Sequence, residues 1–289
     1  MTHALRGALL RTKWASEHFH VLEREIDAWP VEANANALVQ HFDPDTSTIV
    51  ICVGATPSYP VRWARLASEA AFNLRAALDY TVWELSKWNL KLNGDTREPF
   101  DHTQFPISTK PGVWRGDQVP DLHANHVALI KWLQPNAEHN VLRARQNFEE
   151  FARAFLPEGT SWVGNSPEVL TGLASRGHPL GRLVAINDHD KHRTLRPVAT
   201  IPALIQFGPS IALDCELTGM WNSSFVGQYH VGAKIAEVGV RNPGSNPEVM
   251  VNNWITPRVA FGEDDILSDI PWIYNCVRGI LELFWPVFL

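Results

Sequence analysis

A run of 29 residues without glycine or proline, Val61–Asn89, is the feature of this sequence that most constrains its fold. Pro60 precedes the run, where its fixed φ and missing N–H suit the start of a helix. Apolar residues recur at spacings of three and four, which predicts one face of an α-helix about 40 Å long. That face comprises Trp63, Leu66, Ala70, Leu74, Ala77, Leu78, Thr81 and Leu85.

The opposite side of this helix is also partly apolar. Phe72, Arg75, Asp79 and Trp83 form a second stripe, with the Arg and the Asp one turn apart between two large aromatic residues. A helix that is apolar on two sides is usually covered on both, so we expect it at the centre of a helical bundle. The charged pair is either a structural bridge or part of a functional site.

Composition and charge limit the class of protein. The 45% hydrophobic and 19% charged content describes a globular chain, and 289 residues suffice for one large domain or two small ones. A formal charge of −6 gives no global basic field to attract nucleic acid, so only a local basic patch could bind it. Three widely spaced cysteines favour reduced thiols, which predicts a cytoplasmic protein.

The chain termini argue against membrane insertion. The N-terminus has only a short apolar run and no cleavage pattern, so we expect no signal peptide. The last twenty residues are the longest apolar tract, but Arg278 and Glu282 lie in its middle, where charge is costly in a bilayer. We therefore predict a C-terminal helix that docks on the core or on a second copy of the chain.

The remaining elements predict an α+β fold. The first helix, 9–27, carries apolar residues at helical spacing through Leu10, Trp14, Phe19, Leu22 and Ile26. A Pro-rich stretch after Asn89 is long enough to be a lid, a wrapping segment or a disordered loop. The other predicted helices are 121–133, 136–155 and 179–192. Predicted strands are 31–41 and 48–55, which form an N-terminal β-hairpin, and 198–207, 211–218, 225–231, 233–240 and 248–261.

This order of elements predicts two regions that pack as one unit. Residues 1–197 would form a helical domain with the N-terminal hairpin, built around the helix at about 61–89. Residues 198–289 would form an antiparallel β-meander closed by the terminal helix.

The run Asn187–Arg193 is the densest cluster of titratable groups in the chain. Its basic residues suit the C-terminus of a helix, where cations complement the helix dipole. Its acids and histidines could instead serve acid–base chemistry near neutral pH. His189 and His192 are three residues apart, as are His123 and His126, so each pair is an alternative metal site; we assign no metal and no cofactor.

Four motifs carry a resemblance to known proteins: NLRAALDYTVWELS (Asn73–Ser86), FPI (Phe105–Ile107), LQP (Leu133–Pro135) and NDHDKHRTL (Asn187–Leu195). Together they resemble a bacterial family, frequent in actinobacteria, with the motifs NLRSALDHLVW, FPI, LQP and DKHR. The resemblance covers roughly residues 55–197 and by itself implies no activity.

The first motif is also similar to the Arg-to-His pattern of HEPN (higher eukaryote and prokaryote nucleotide-binding) domains. Those domains are helical bundles, often metal-independent ribonucleases, in which the Arg holds the scissile phosphate and the His assists proton transfer. The matching positions here are Arg75 and Tyr80. A tyrosine is a poor acid or base at neutral pH. The ribonuclease activity that the resemblance implies would therefore need His189 or His192 in the role of that histidine.

Three functional hypotheses follow. In the first, a HEPN-like protein binds a nucleotide or cleaves RNA: Arg75 and Lys191 hold phosphate, His192 is the general base, Asp79 and Asp190 complete the catalytic group, and Tyr80, His189 and Arg193 bind. In the second, Arg75, Asp79, Asp190, His192 and Arg193 form a buried structural lock in a non-catalytic interaction protein. Its aromatic surfaces or C-terminal helix would form a homodimer. In the third, the Pro-rich loop is the lid of a small-molecule enzyme.

Overall fold

The computed structural model describes residues 4–29, 38–55, 59–110, 112–135, 178–192, 196–200, 212–213, 215–222, 231–244, 248–249, 256–261 and 264–288. Its helices are α1 (Arg6–Asp27), α2 (Val61–Leu92), α3 (Ala124–Trp132), α4 (Pro179–His192) and α5 (Ile266–Phe284). Two short 3₁₀ segments, Gly116–Gln118 and Trp285–Phe288, follow α2 and α5 in the chain.

The strands are β1 (Leu38–Asp43), β2 (Thr48–Val53), β3 (Arg196–Thr200), β4 (Ala212–Leu213), β5 (Glu216–Asn222), β6 (Lys234–Arg241), β7 (Glu248–Val249), β8 (Thr256–Phe261) and β9 (Asp264–Asp265). They form antiparallel sheets with the strand orders β1-β2-β6-β5, β3-β8-β9 and β4-β7. The α+β class is therefore confirmed. The predicted helix at 136–155 lies outside the described residues, as does nearly all of the predicted strand at 225–231.

The long helix predicted from Val61 is confirmed as α2, and its end has a clear local cause. Gly94 adopts a φ of 74°, a left-handed conformation that glycine reaches without a side-chain clash. The Gly94 N–H donates to the Lys91 carbonyl at 3.1 Å, and the Asp95 N–H donates to the Leu90 carbonyl at 2.9 Å. This pair of hydrogen bonds is a Schellman motif, which satisfies carbonyls at the helix end. The predicted apolar face is buried, with Leu74, Leu78 and Leu85 fully covered.

The first helix only partly follows its predicted pattern. Phe19, Leu22 and Ile26 are buried as expected, but Leu10 and Trp14 are 38% and 41% exposed. Ala8 and Ala15 are buried instead, so the apolar side of α1 is shifted around the helix toward small residues. The two exposed residues are consequently available on the surface.

The predicted N-terminal hairpin is confirmed as β1 and β2, with Leu38 opposite Val53 and Asp43 opposite Thr48. The Asp43 side chain accepts a hydrogen bond from the Asp45 N–H at 3.0 Å and so shapes the turn. On its other edge, β2 pairs with β6, a strand from the second half of the chain. The hairpin thus belongs to a sheet with C-terminal strands and not to the helical region.

The compact units of the structure accordingly differ from a division at residue 197. One unit comprises Met1–His20, Leu66–Thr194 and Ser268–Leu289, and the other comprises Val21–Arg65 and Leu195–Leu267. The first unit, which we call the helical unit, holds most of α1 and α2, all of α3 and α4, and nearly all of α5; the second holds the sheets. Since α5 is grouped with α3 and α4, the terminal helix belongs to the helical unit.

The apolar C-terminal tract forms α5 and the short 3₁₀ segment after it. Arg278 donates to Glu282 at 2.9 Å, and both side chains are more than 60% exposed. Of the helices that the structure describes, none combines the length and the apolar character needed to cross a membrane.

Candidate functional site

Arg75 and Asp79, which share one face of α2, form a bidentate ion pair. The Arg75 Nε donates to Asp79 Oδ2 at 3.3 Å, and its Nη2 lies 3.1 Å from Asp79 Oδ1. The Arg75 side chain is 19% exposed and that of Asp79 31%, so the pair is partly shielded from water. The spacing of four residues makes this contact possible within a single helix.

Both members of the pair also bind the backbone of Phe105. The Arg75 Nη2 donates to the Phe105 carbonyl at 2.6 Å, and the Phe105 N–H donates to Asp79 Oδ1 at 2.9 Å. Phe105 is fully buried, so its backbone groups need protein partners. We call Arg75, Asp79 and the Phe105 backbone the Phe105 clamp.

Further hydrogen bonds fix the same Pro-rich segment to the helices. The Ser108 N–H donates to Gln134 Oε1 at 2.8 Å, while Gln134 Nε2 donates to the Ile130 carbonyl in α3 at 2.8 Å. Asn89 at the end of α2 donates to the Asp121 carbonyl at 2.9 Å. The segment is therefore held at its middle and at its end, which favours a wrapping segment over a lid.

These contacts connect three of the sequence motifs. The NLRAALDYTVWELS motif supplies Arg75 and Asp79, the FPI motif supplies Phe105, and the LQP motif supplies Gln134. Gln134 is only 4% exposed and uses both its amide oxygen and its amide nitrogen. The motifs thus have a direct structural use, which is to hold an irregular segment against α2 and α3.

The fourth motif lies at the end of α4. Asn187 donates to the Leu183 carbonyl one turn earlier at 2.9 Å and lies 3.5 Å from the Ala71 carbonyl of α2. Asp188 is exposed. The predicted site residues His189, Asp190, Lys191 and His192 form the last turn of α4, but their side chains fall outside the described part of the structure, and Arg193 falls outside it entirely.

Tyr80, the match to the HEPN histidine, has surroundings different from those of Arg75. Its ring is 42% exposed and lies 5.6 Å from the Arg11 guanidinium of α1. It also covers Gly7, where an added Cβ would come within 2.8 Å of the ring. Five residues correspond to a rotation of about 140° around a helix, so Arg75 and Tyr80 point to different sides of α2.

Arg11, Asn73 and Gln134 make polar contacts that the sequence did not indicate. Asn73 and Gln134 lay within quoted motifs, but nothing in their neighbours indicated which groups they would bind. Arg11 donates to Asn73 Oδ1 at 3.0 Å, across the two helices. No periodic signal marks a half-buried arginine as the partner of a residue 62 positions away.

Two histidines of the helical unit are held neutral by burial. His126 packs against the rings of Trp88, His123 and Phe284, with centroids 5.6 to 5.9 Å apart. Burial, and then the charge of His123, lowers the pKa of His126 to about 4. His178 accepts a hydrogen bond from the Leu180 N–H at the start of α4, and burial lowers its pKa to about 4.

The described residues contain no group of three or more histidine, cysteine or acidic side chains placed to hold a metal ion. His123 uses its Nδ1 to accept a hydrogen bond from the Asn125 N–H at the start of α3, at 3.3 Å. This gives the first histidine of the His123/His126 pair a helix-capping contact.

No family model, curated protein or solved structure matches this chain.

Proposed function

We propose that this chain is a non-catalytic interaction protein in which Arg75 and Asp79 serve as a structural lock. The observation that carries the proposal is the Phe105 clamp: the pair binds both backbone groups of one fully buried residue. The clamp joins α2 to the irregular segment that contains Phe105. Removal of the clamp should therefore lower the free energy of unfolding and should have no effect on a catalytic activity.

The clamp also bears on how Arg75 could act on a phosphate. A guanidinium that binds phosphate presents its N–H groups in a fork toward the anion. Here Nε faces Asp79, and Nη2 faces both Asp79 and the Phe105 carbonyl. A phosphate at these two nitrogens would have to displace the carboxylate and leave a buried carbonyl without its donor, which costs about 1–3 kcal/mol.

The competing interpretation is the HEPN-like site, with Arg75 and Lys191 on phosphate and His192 as general base. It predicts that the chain binds or cleaves RNA or nucleotides, and that loss of Arg75 or His192 abolishes cleavage without loss of stability. The structural lock predicts instead that loss of Arg75 lowers stability and that there is no cleavage to abolish. The two interpretations thus differ in measurable quantities.

The test combines activity and thermal melting on wild type, Arg75→Ala, His192→Ala and Arg278→Ala. Arg278 is the matched control, since it also pairs with an acid four residues away, but on an exposed surface. We expect no cleavage of RNA or nucleotides by wild type, a melting temperature lower by roughly 5–10 °C for Arg75→Ala, and little change for Arg278→Ala. Cleavage by wild type, abolished in an Arg75→Ala variant that melts normally, would establish the catalytic interpretation instead.

A further inference from the structure

The parts of α1 and α2 that lie in the helical unit, Arg6–His20 and Leu66–Leu92, run antiparallel and place large apolar side chains at the surface. Leu10 and Trp14 are one turn apart on α1, and Phe72 and Tyr80 are two turns apart on α2. All four are between 38% and 56% exposed. Tyr80 contacts both Gly7 and Arg11, so the two stripes run side by side. We call Leu10, Trp14, Phe72 and Tyr80 the aromatic face.

Trp14 and Tyr80, the two largest rings of the aromatic face, both contact Arg11 within the protein. The Arg11 guanidinium lies 5.1 Å from the Trp14 ring and 5.6 Å from the Tyr80 ring, within the range of a cation–π contact. Asn73, only 6% exposed, accepts a hydrogen bond from Arg11 and donates to the Glu69 carbonyl at 2.8 Å. A rigid Trp, Tyr and Arg group is typical of the residues that dominate the energy of protein interfaces.

The charges around the face favour a protein over a nucleic acid. Lys13 and Glu17 form an exposed pair of opposite sign at 3.7 Å, and His18 lies 3.3 Å from Glu69. A surface that binds single-stranded nucleic acid combines stacking rings with a positive groove along the phosphates. Here carboxylates interrupt that field, whereas a rim with both signs can complement another copy of itself.

The size of the face fits one half of a symmetric contact. Its four side chains leave on the order of 350 Å² of apolar surface exposed, given 150–250 Å² for an aromatic side chain. A stable interface buries about 800 Å² per partner, of which somewhat more than half is apolar. The face therefore supplies most of the apolar area that one subunit of a dimer requires.

We infer that the aromatic face binds a second copy of this chain, forming a symmetric dimer through α1 and α2. In such a contact the same patch is used by both subunits, so Trp14 and Tyr80 occur twice and Arg11 anchors each pair of rings. This inference specifies the partner in the proposed function and rests on it.

The test measures mass by light scattering and sedimentation at protein concentrations from about 1 to 100 μM, for wild type, Trp14→Glu and Leu92→Glu. Leu92 is the matched control, since it is also an exposed apolar residue of α2, at 63%. It points in a different direction, because twelve residues after Tyr80 correspond to a net rotation of about 120° around the helix. We expect a wild-type dimer, at least a 30-fold weaker dimer for Trp14→Glu, and an unchanged dimer for Leu92→Glu. Thermal melts check that each variant folds, and Phe72→Glu provides a second surface variant.

Other outcomes overturn the inference in distinguishable ways. A wild-type monomer over the whole range refutes the dimer. A dimer that Trp14→Glu and Phe72→Glu both leave intact refutes the aromatic face as its interface, whatever the effect of Leu92→Glu. A monomer that binds labelled single-stranded RNA, with binding lost in Trp14→Glu, assigns the face to nucleic acid. Cleavage of RNA by wild type refutes the proposed function, whereas a monomer without cleavage refutes only this inference.

Discussion

The energetic role of the Phe105 clamp can be measured with a double-mutant cycle on Arg75 and Asp79. Asp79→Ala removes the acceptor of the Phe105 N–H and the carboxylate partner of Arg75. Arg75→Ala removes the donor to the Phe105 carbonyl. Each single variant should lower the free energy of unfolding by about 2–3 kcal/mol, since hydrogen bonds to charged groups contribute about 1.5–3 kcal/mol each.

The two effects should not add. Once either partner is gone, the bidentate ion pair no longer exists, so the double variant should lose about 3–4 kcal/mol and the coupling energy should be about 1–2 kcal/mol. This value lies between that of an exposed pair, at most about 1 kcal/mol, and that of a fully buried one. The side-chain exposures of 19% and 31% place the pair between these limits.

Urea unfolding of the four proteins gives the free energies, with the m-value checked for constancy. The same cycle on Arg278 and Glu282, which are 63% and 61% exposed, should give a coupling energy below about 0.5 kcal/mol. An Arg75–Asp79 coupling as small as this control would refute the structural lock. Asp79→Asn supplies a further check: it retains an oxygen acceptor for the Phe105 N–H and should cost less than Asp79→Ala.

Three other predictions concern the helical unit. Arg182 pairs with Asp269, which is 2% exposed, so Arg182→Ala should cost about 3–5 kcal/mol in urea unfolding and Arg182→Lys distinctly less. The pKa of His126 is about 4, below its ordinary 6.5, so the unfolded chain binds the proton more readily. The contribution of this group to the free energy of unfolding is complete above about pH 6.5 and is lost as the pH falls toward 4, by about 2 kcal/mol after allowance for solvent. In urea unfolding at several pH values, His126→Phe should weaken this dependence of stability on pH. His178→Ala should lower the melting temperature by removing the acceptor for the Leu180 N–H, and His178→Asn should restore most of it.

Where local chemistry is sufficient, the sequence predicted the structure closely. The start of α2 at Val61 and the bounds of α4 agree with the prediction, because helical spacing and a proline at the helix start act over a few residues. The hairpin of β1 and β2 was likewise predicted, and its turn is shaped locally, since the Asp43 side chain accepts from the Asp45 N–H two residues on. The exposed Trp14 was not, because spacing alone does not tell a buried aromatic residue from a surface one.

In the candidate site, too, the sequence predicted the local feature and not the long-range contact. The sequence identified Arg75 and Asp79 as a pair one turn apart on a helix apolar on both sides, and it left a structural bridge and a functional site as alternatives. The spacing could not show that Phe105, 30 residues after Arg75, would supply the backbone groups that both side chains bind. That contact exists only once the Pro-rich segment lies along α2.

The amino-acid sequence by itself determined the α+β class, the central helix and its charged pair, because helix formation depends on neighbours within one or two turns. Tertiary structure alone decided that the N-terminal hairpin pairs with β6 and that the terminal helix is grouped with the helical unit. It also decided what Arg75, Asp79 and Gln134 bind. The physical reason is that hydrogen bonds between residues distant in the chain depend on the path by which the folded backbone brings them together. Neither residue spacing nor composition contains that information.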